Sequence, residues 1–167
     1  MNEMELHHEP QTGTLLTAEG FTALQKELET LTTVKRGEIA ERIRESQQHG
    51  EFSEDNSELD EVKLEQAMVE TRIAELKTLF GNAQILDEAS IPTDRVGIGS
   101  VVTLLDLQYH EQFEVRLVSS IEADPGRDLI SNESPMGTAI YGIEPNTEVY
   151  FDAPEGRKKF KIVSITR

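Results

Sequence analysis

The chain of 167 residues contains no cysteine and no tryptophan, and only 5% of its residues are aromatic. The absence of cysteine excludes a disulfide scaffold, a thiolate metal site and a cysteine nucleophile. Apolar residues make up only 37% of the chain, so we expect a modest core and a partly elongated shape. No apolar run approaches the roughly 20 residues that a membrane-spanning helix needs, so we expect no membrane partner.

Basic residues are also scarce. The chain has 16 Lys and Arg residues against 32 Asp and Glu residues, which gives a formal net charge of -16. Such a chain is not expected to bind nucleic acid through a general phosphate-neutralising surface. Its partners should instead be basic surfaces, metal ions, or proteins that are approached at a defined patch.

The N-terminal stretch MNEMELHHEPQTGT is polar, with neither an apolar core nor a periodic pattern. It therefore does not resemble a signal peptide, and we expect a cytoplasmic protein with a disordered extension at residues 1–14. The pair His7–His8 is a possible metal ligand, but a solvated tail is the simpler interpretation.

A helix of about 30 residues is predicted between Thr17 and residue 50, because no proline interrupts this range. Thr17 is suited to an N-cap, and Glu19 to the first helical turn. The apolar spacing alternates between three and four until the phase slips at Val34, and Gly37 is expected to loosen the helix locally. The apolar positions are Phe21, Leu24, Leu28, Leu31, Val34, Ile39 and Ile43.

A second helix is predicted after the acidic stretch, ending near Gly81–Asn82 as a left-handed C-cap pair. Its apolar positions keep strict 3-4 spacing over three heptads, which is typical of a coiled-coil seam. The seam positions are Leu59, Val62, Gln66, Val69, Ile73, Leu76 and Phe80. Two such helices should fold back as an antiparallel hairpin, which we place at residues 15–88 with its tip near residues 50–57.

Residues 89–167 have a different pattern, which predicts a compact α+β domain. Alternating and β-branched residues indicate strands, and a hairpin is predicted around Pro154–Gly156. The predicted elements are the strands SVVTLLDL, EQFEVRLVSS and LISNESP, the turn EADPGRD, the short helix MGTAIYG, and the hairpin of TEVYFDA with RKKFKIVSI. The predicted fold class of the whole chain is therefore α+β.

The predicted hairpin tip, HGEFSEDNSELDE, carries six carboxylates and neither Lys nor Arg. Carboxylates are ligands for Mg²⁺, which takes only one or two of them and completes its shell with water and substrate phosphates. Glu51 and Glu54 are three residues apart, so a turn lets both point the same way. This pair is too small for a complete metal cage, but it can complete one in another macromolecule's active site.

The later acids of this stretch have a simpler interpretation. Asp55-x-x-Glu58 and Ser57-x-x-Asp60 both have the spacing of a capping box, and acids in a first helical turn favour the helix dipole. Glu58, Asp60 and Glu61 are therefore interpreted as helix-starting, solvated residues. Glu51 and Glu54 precede the helix and have no evident capping role.

The tip and the second helix resemble bacterial transcript cleavage factors of the GreA/GreB type. The matching residues are Gly50, Ser53, Glu54, Asn56, Ser57, Glu58, Lys63, Gln66, Arg72 and Ile73. Further similar stretches follow in the family's order along the chain. They are LTAEGFTALQKELETL, FGNAQILDEA, VGIGSVVTLLDL, EADP and ISNESPMGTAIYG.

The resemblance implies a hairpin that enters the secondary channel of RNA polymerase and an FKBP-like domain, residues 89–167, that grips the channel rim. The tip acids Glu51 and Glu54 would help to hold a catalytic Mg²⁺ shared with the polymerase and to position the attacking water. The polymerase would then cut the 3′ part of backtracked RNA, which the tip contacts transiently. The chain itself would be an accessory factor, not an enzyme, and would bind no cofactor tightly.

The resemblance also assigns further site residues. Ser53 and Asp55 are additional candidates at the tip. The rim-binding segment corresponds to Glu133, Ser134, Pro135, Met136 and Gly137.

The chain departs from the family pattern at four positions. Glu51 replaces the usual Asp, and Asp55 is an extra residue, so that either Glu54 or Asp55 is the acid that reaches the metal. Leu59 stands in place of Tyr, and Thr138 in place of an Arg that often follows the glycine. Some relatives with altered tips inhibit the polymerase.

Three hypotheses follow for the function. The first is an elongation factor that stimulates transcript cleavage. The second is a regulator that uses the same channel without stimulating cleavage or that blocks substrate entry. The third is a coiled-coil adaptor or FKBP-like chaperone module unrelated to transcription. A stand-alone nuclease is least expected, because the single acidic patch has no pocket around it.

Overall fold

The computed structural model describes residues 13–49 and 57–167. Spatial proximity divides them into two units. The hairpin unit is Phe21–Ala83, and the C-terminal unit is Gln84–Arg167 together with residues 13–20. A helical hairpin and a sheet domain confirm the α+β fold class. None of the helices in the described ranges is long and apolar enough to cross a membrane.

The first long helix has three parts. Helix α1 is Ala18–Thr30, a π-helical segment is Leu31–Lys35, and helix α2 is Arg36–His49. The π-helical segment explains the slip in apolar phase, since a π-turn accommodates one extra residue and leaves Val34 52% exposed. The expected loosening at Gly37 is wrong, because Gly37 lies inside regular α2 and the irregularity precedes it.

Two threonines accompany the π-helical segment. The Thr32 hydroxyl donates to the carbonyl of Leu28 at 2.8 Å, and the Thr33 hydroxyl donates to that of Glu29 at 2.7 Å. Such bonds to the preceding turn compete with the regular backbone pattern and often bend a helix.

Helix α3 is Ser57–Phe80, with 24 residues, and is about 36 Å long at 1.5 Å per residue. Its start at Ser57 falls inside the acidic stretch, two residues before the first seam position, Leu59. The predicted left-handed C-cap at Gly81–Asn82 is wrong, since neither residue has a positive φ. Instead, the Gly81 amide donates to the Lys77 carbonyl at 3.1 Å, which continues the helical pattern before the chain turns away.

The hairpin is held together by a narrow apolar seam. Its buried residues are Ile39, Val62, Val69 and Ile73, with Leu28, Leu31 and Ile43 packed against them. The rings of Phe21 and Phe80 meet edge to face, with centroids 5.1 Å apart. The start of α1 therefore lies beside the end of α3, as an antiparallel pair requires.

Ion pairs flank this seam. Arg36 donates to both carboxylate oxygens of Glu70, at 2.7 and 2.8 Å, and this lowers the pKa of Glu70. Glu65 lies between Lys35, at 3.0 Å, and Arg42. Hydrogen bonds from Lys35 and then Arg42 lower the pKa of Glu65. Each exposed pair adds little free energy, but together they favour one register of the two helices.

The seam residue Ile73 is expected to dominate the stability of the hairpin. Ile73→Ala removes a side chain that is only 2% exposed and should lower the free energy of unfolding by about 2–5 kcal/mol, because a cavity remains. Leu64→Ala is the matched control, since Leu64 lies on the same helix but is 64% exposed. Urea denaturation followed by circular dichroism measures both, and equal losses would contradict the assigned seam.

The flanking pairs predict a pH dependence of stability. Since the folded state holds the pKa of Glu65 and Glu70 below the ordinary 4.5, their contribution is present above that value and is lost as the pH falls through the lowered pKa. The melting temperatures of the parent and of Glu65→Gln/Glu70→Gln should therefore converge between about pH 5 and pH 3. Glu38→Gln, on an exposed acid of α2, is the control. A gap that stays constant with pH would refute the assignment.

The C-terminal unit is built on a five-stranded sheet. In chain order the strands of the protein are β1 Thr14–Leu16, β2 Ala83–Ile85, β3 Val101–Asp106, β4 Glu111–Val118, β5 Leu129–Ser131, β6 Glu148–Ala153 and β7 Gly156–Thr166. The order across the sheet is β5-β4-β3-β7-β6. Only β4 and β5 run parallel, whereas the other neighbours are antiparallel.

One face of this sheet carries the core. Alternate residues of β3, β4 and β7 point to it, and helix α4, Pro135–Ile140, packs there through Ile140. The buried core residues are Val96, Val102, Leu104, Val115, Leu117, Ile140, Val149, Phe160, Ile162 and Ile165. Phe160 lies between the rings of Phe113 and Phe151, with centroid distances of 5.5 and 5.4 Å.

The N-terminal end of the first helix, residues 17–20, belongs to the C-terminal unit and is called the root of α1. Strand β1 pairs with β2, and the Leu86 amide donates to the Leu16 carbonyl at 2.7 Å. An extension was predicted at residues 1–14, and residues 1–12 of it lie outside the described part of the chain. Thr14 does not belong to an extension, because it is the first residue of β1. The predicted N-cap is confirmed, because the Thr17 hydroxyl accepts from the Gly20 amide at 3.0 Å.

Candidate functional site

The predicted acidic tip lies outside the described residues. Glu51, Ser53, Glu54 and Asp55 all fall within residues 50–56, so their roles stay predictions. Acids of the first turn of α3, Glu58 and Asp60, are placed where their charges favour the helix dipole. Within residues 13–49 and 57–167, no group of three or more His, Asp or Glu side chains is arranged to hold a metal ion.

The predicted rim-binding segment is fully described. It follows β5 and forms the start of α4. Ser134 caps α4 by accepting from the Gly137 amide at 3.0 Å, and Pro135 occupies the first helical turn, where its missing N–H costs nothing. The segment is therefore a capped turn with a defined shape.

Ser131, at the end of β5, organises this turn. Its hydroxyl accepts from the Glu133 amide at 3.0 Å. Its carbonyl accepts from both the amide and the hydroxyl of Ser134, at 3.1 and 2.7 Å. The hydroxyl of Ser120 lies 3.0 Å from that of Ser131 and also donates to the Glu133 carboxylate. Serine hydroxyls thus fix both the backbone and the acid of the segment.

Gly137 is required by close packing of the backbone. A Cβ at this position would lie 1.9 Å from the Ser131 carbonyl oxygen and 3.0 Å from the Asn132 Cα. No side chain fits there without moving α4 away from β5. Gly137 therefore shapes the segment through its close contact with the Ser131 carbonyl.

The five predicted binding residues divide into two groups. Glu133 and Pro135 are exposed, so a carboxylate and an apolar ring face outward. Met136 is half-buried and packs against the sheet core, while Gly137 is buried. Ser134 is used as the helix cap. The exposed pair offers a carboxylate to a basic surface and a ring to an apolar surface.

Sequence reasoning missed the residues that support this segment. Ser120 was predicted as the end of a strand, and Glu122 as part of a turn. Both lie in a short 3-10 turn, Ser120–Glu122, after β4. A cavity of about 410 Å³ lies beside this turn and is lined by β1, Ser120 and Glu133. The sequence offers one local signal near these residues, the spacing Thr17-x-x-Gly20, which is compatible with a capped helix start. It does not point to Ser120 or Glu122.

Gly137→Ala is expected to disrupt the segment. The added methyl clashes with the Ser131 carbonyl, so we expect a loss of unfolding free energy of about 1–3 kcal/mol or more, as for other overpacked sites. Gly37→Ala is the control, because nothing lies within 4 Å of a Cβ there and alanine favours a helix by about 1 kcal/mol. Thermal denaturation measures both, and an unchanged Gly137→Ala would contradict the close packing.

Two family profiles match the chain. The profile described as "Transcription elongation factor, N-terminal" matches residues 14–85. The profile described as "Transcription elongation factor, GreA/GreB, C-term" matches residues 91–167. Together they cover almost the whole chain after the N-terminal extension.

Curated relatives match over similar lengths. The transcription elongation factor GreA of Acetivibrio thermocellus is 48% identical over 153 residues, which cover 92% of this chain and 96% of that protein. The GreA of Alkaliphilus oremlandii is 49% identical, also covering 92% of this chain and 96% of that protein. Among solved structures, GreA factor homolog 1 of Thermus thermophilus is 32% identical over 93% of this chain and 99% of that chain, with a TM-score of 0.43.

Proposed function

Because this chain belongs to the GreA/GreB family of transcription elongation factors, we propose that it stimulates cleavage of backtracked RNA by RNA polymerase. In this proposal the hairpin enters the secondary channel and carries Glu51 and Glu54 to the active site. A transcription elongation factor is an accessory of RNA polymerase, not an enzyme itself, so the chemistry belongs to the polymerase. The observation that carries the proposal is the match of both halves of the chain to one family.

The chemistry of the tip supports this role. Phosphoryl transfer requires metal ions beside the attacking and leaving oxygens. Carboxylate oxygens are suitable Mg²⁺ ligands, and one or two of them suffice when phosphates and water complete the shell. Glu51 and either Glu54 or Asp55 would hold the shared ion and help to position the attacking water, and Ser53 is a further candidate at the tip.

The shape of the hairpin unit also supports it. A factor that works inside a channel needs a narrow, stiff element, and α3 pairs along its length with α2 and α1 through one seam. Acids at the end of such an element reach a remote site without a general affinity for nucleic acid. This agrees with the net charge of -16, which opposes non-specific binding to phosphates.

The Glu133–Gly137 segment is proposed as the contact with the polymerase surface. Its Glu133 carboxylate and Pro135 ring face outward on a turn that Ser131 and Ser134 hold rigid. A preordered turn loses little conformational entropy on binding. The partner surface should therefore offer a basic group and an apolar patch side by side.

A second candidate function is inhibition through the same channel. It is favoured by two features of the tip, the longer Glu51 in place of aspartate and the additional Asp55. A displaced carboxylate would still occupy the channel but would not hold the ion in the productive geometry. Membership of the family disfavours the third hypothesis, an adaptor unrelated to transcription.

A purified, backtracked elongation complex with labelled RNA tests these alternatives. The parent should shorten the RNA and release a 3′ fragment, and Glu54→Ala should lose roughly a hundredfold or more in rate, because misplacing a catalytic group has costs of this size. Glu51→Asp and a deletion of Asp55 identify which acid reaches the ion. No shortening, combined with slower nucleotide addition, would instead establish the inhibitor.

Glu58→Ala is the matched control for this experiment. Glu58 is exposed in the first turn of α3 and carries the same charge close to the tip, so its loss should change the cleavage rate little. If Glu58→Ala and Glu54→Ala reduced cleavage equally, the effect would reflect general charge and not a metal contact. Failure of the parent to bind polymerase would refute both candidate functions.

A further inference from the structure

The 3-10 turn Ser120–Glu122 contacts two functional elements at once, both within the C-terminal unit. From these contacts we infer that Ser120 and Glu122 are positioning residues that couple the polymerase-binding segment to the root of helix α1. The inference rests on the proposed function for the identity of the partner at Glu133. Neither residue is expected to touch RNA or the metal.

Glu122 holds the root of α1. Its carboxylate accepts from the Thr17 amide at 3.1 Å and also from the Thr17 hydroxyl. Thr17 is only 2% exposed, and its hydroxyl in turn caps the Gly20 amide. A single carboxylate therefore orients the cap from which the first helix starts, across 105 residues of sequence.

Gly20 is the counterpart of this contact. A Cβ at Gly20 would lie 2.2 Å from the carboxyl carbon of Glu122 and 2.3 Å from one of its oxygens. Gly20 lies within helix α1, so a glycine is not needed there for a turn. It is needed because a side chain would occupy the space of the Glu122 carboxylate. Any side chain at Gly20 must displace Glu122 from the helix start.

Ser120 contacts the Glu133–Gly137 segment. Its hydroxyl donates to the Glu133 carboxylate and lies 3.0 Å from the Ser131 hydroxyl. Glu133 is the exposed acid of the predicted rim-binding segment. Ser120 bonds one carboxylate oxygen and so holds Glu133 in place, while a basic group of a partner can pair with the same carboxylate. Binding of the partner therefore acts directly on the turn.

The turn is too short to absorb a shift at one end. The Glu122 amide donates to the Ser119 carbonyl at 3.0 Å, and the Ala123 amide donates to that of Ser120 at 3.3 Å. Movement of Ser120 therefore changes the position of Glu122, and with it the start of α1. A change at Glu122 therefore reaches the capped first turn of α1, the helix that precedes the hairpin tip in the chain.

The first test separates binding from chemistry in the cleavage assay. Ser120→Ala should raise the half-saturating concentration of factor roughly tenfold, the effect of losing one hydrogen bond to a charged group, while Ser120→Thr restores it. Glu122→Ala should instead lower the cleavage rate at saturation by roughly tenfold to a hundredfold. Glu111→Ala, on an exposed acid of β4, is the control and should change neither quantity.

Gly20→Ala provides the decisive comparison. Alone, it should reproduce the loss seen in Glu122→Ala, because the methyl expels the carboxylate. In the Glu122→Ala background it should add no further loss, because the clash is gone. Additive losses would overturn the assignment of Glu122 as the residue that holds the helix root. Glu122→Gln, which keeps one acceptor oxygen, should be intermediate and serves if Glu122→Ala fails to fold.

Hydrogen exchange of the free protein tests the coupling without polymerase. Glu122→Ala should speed exchange at the Thr17 and Gly20 amides, and Ser120→Ala should do so in the same direction, by transmission through the turn. If Ser120→Ala leaves both amides unchanged, the coupling is refuted even when the parent is active. A parent that neither binds polymerase nor stimulates cleavage refutes the proposed function, while the exchange result still decides the coupling.

Discussion

The hairpin depends on one physical constraint, the burial of a stripe only one residue wide between two helices that are otherwise charged. Val62, Val69 and Ile73 are removed from water by the facing first helix, through Leu28, Leu31, Ile39 and Ile43. This burial supplies most of the stability of a helix pair. The stripe must stay in phase over the whole length. The π-helical segment Leu31–Lys35 is the point where the first helix restores that phase, at the cost of exposing Val34.

The acidic composition shapes what surrounds the seam. The chain has twice as many acidic as basic residues. In the hairpin, Arg36 pairs with Glu70 and Arg72 pairs with Glu27, in each case across to the facing helix. Remaining acids are left to the exposed faces and to the tip. On the exposed faces the repulsion between these acids is tolerated because solvent surrounds the carboxylates.

In the C-terminal unit the surface proposed to bind the polymerase depends on close backbone packing. The outward position of Glu133 and Pro135 follows from the contact of Gly137 with Ser131 and from the cap made by Ser134. Met136 anchors the same turn in the core. In the Glu133–Gly137 segment, some residues are exposed and others fix the shape of the turn. Their separate roles are visible only in the folded chain.

The sequence by itself determined the helical hairpin, the α+β class and the family, since apolar periodicity and turn residues are local and the motifs lie in order along the chain. It also located the acids of the tip, Glu51 and Glu54, whose role stays a prediction. Only the tertiary structure decided that α3 ends without a left-handed cap, that Thr17 meets Glu122, and that Ser120 meets Glu133. The last two contacts join residues 105 and 13 positions apart in sequence. No local pattern encodes them, because the sheet that brings them together forms only when the whole unit folds.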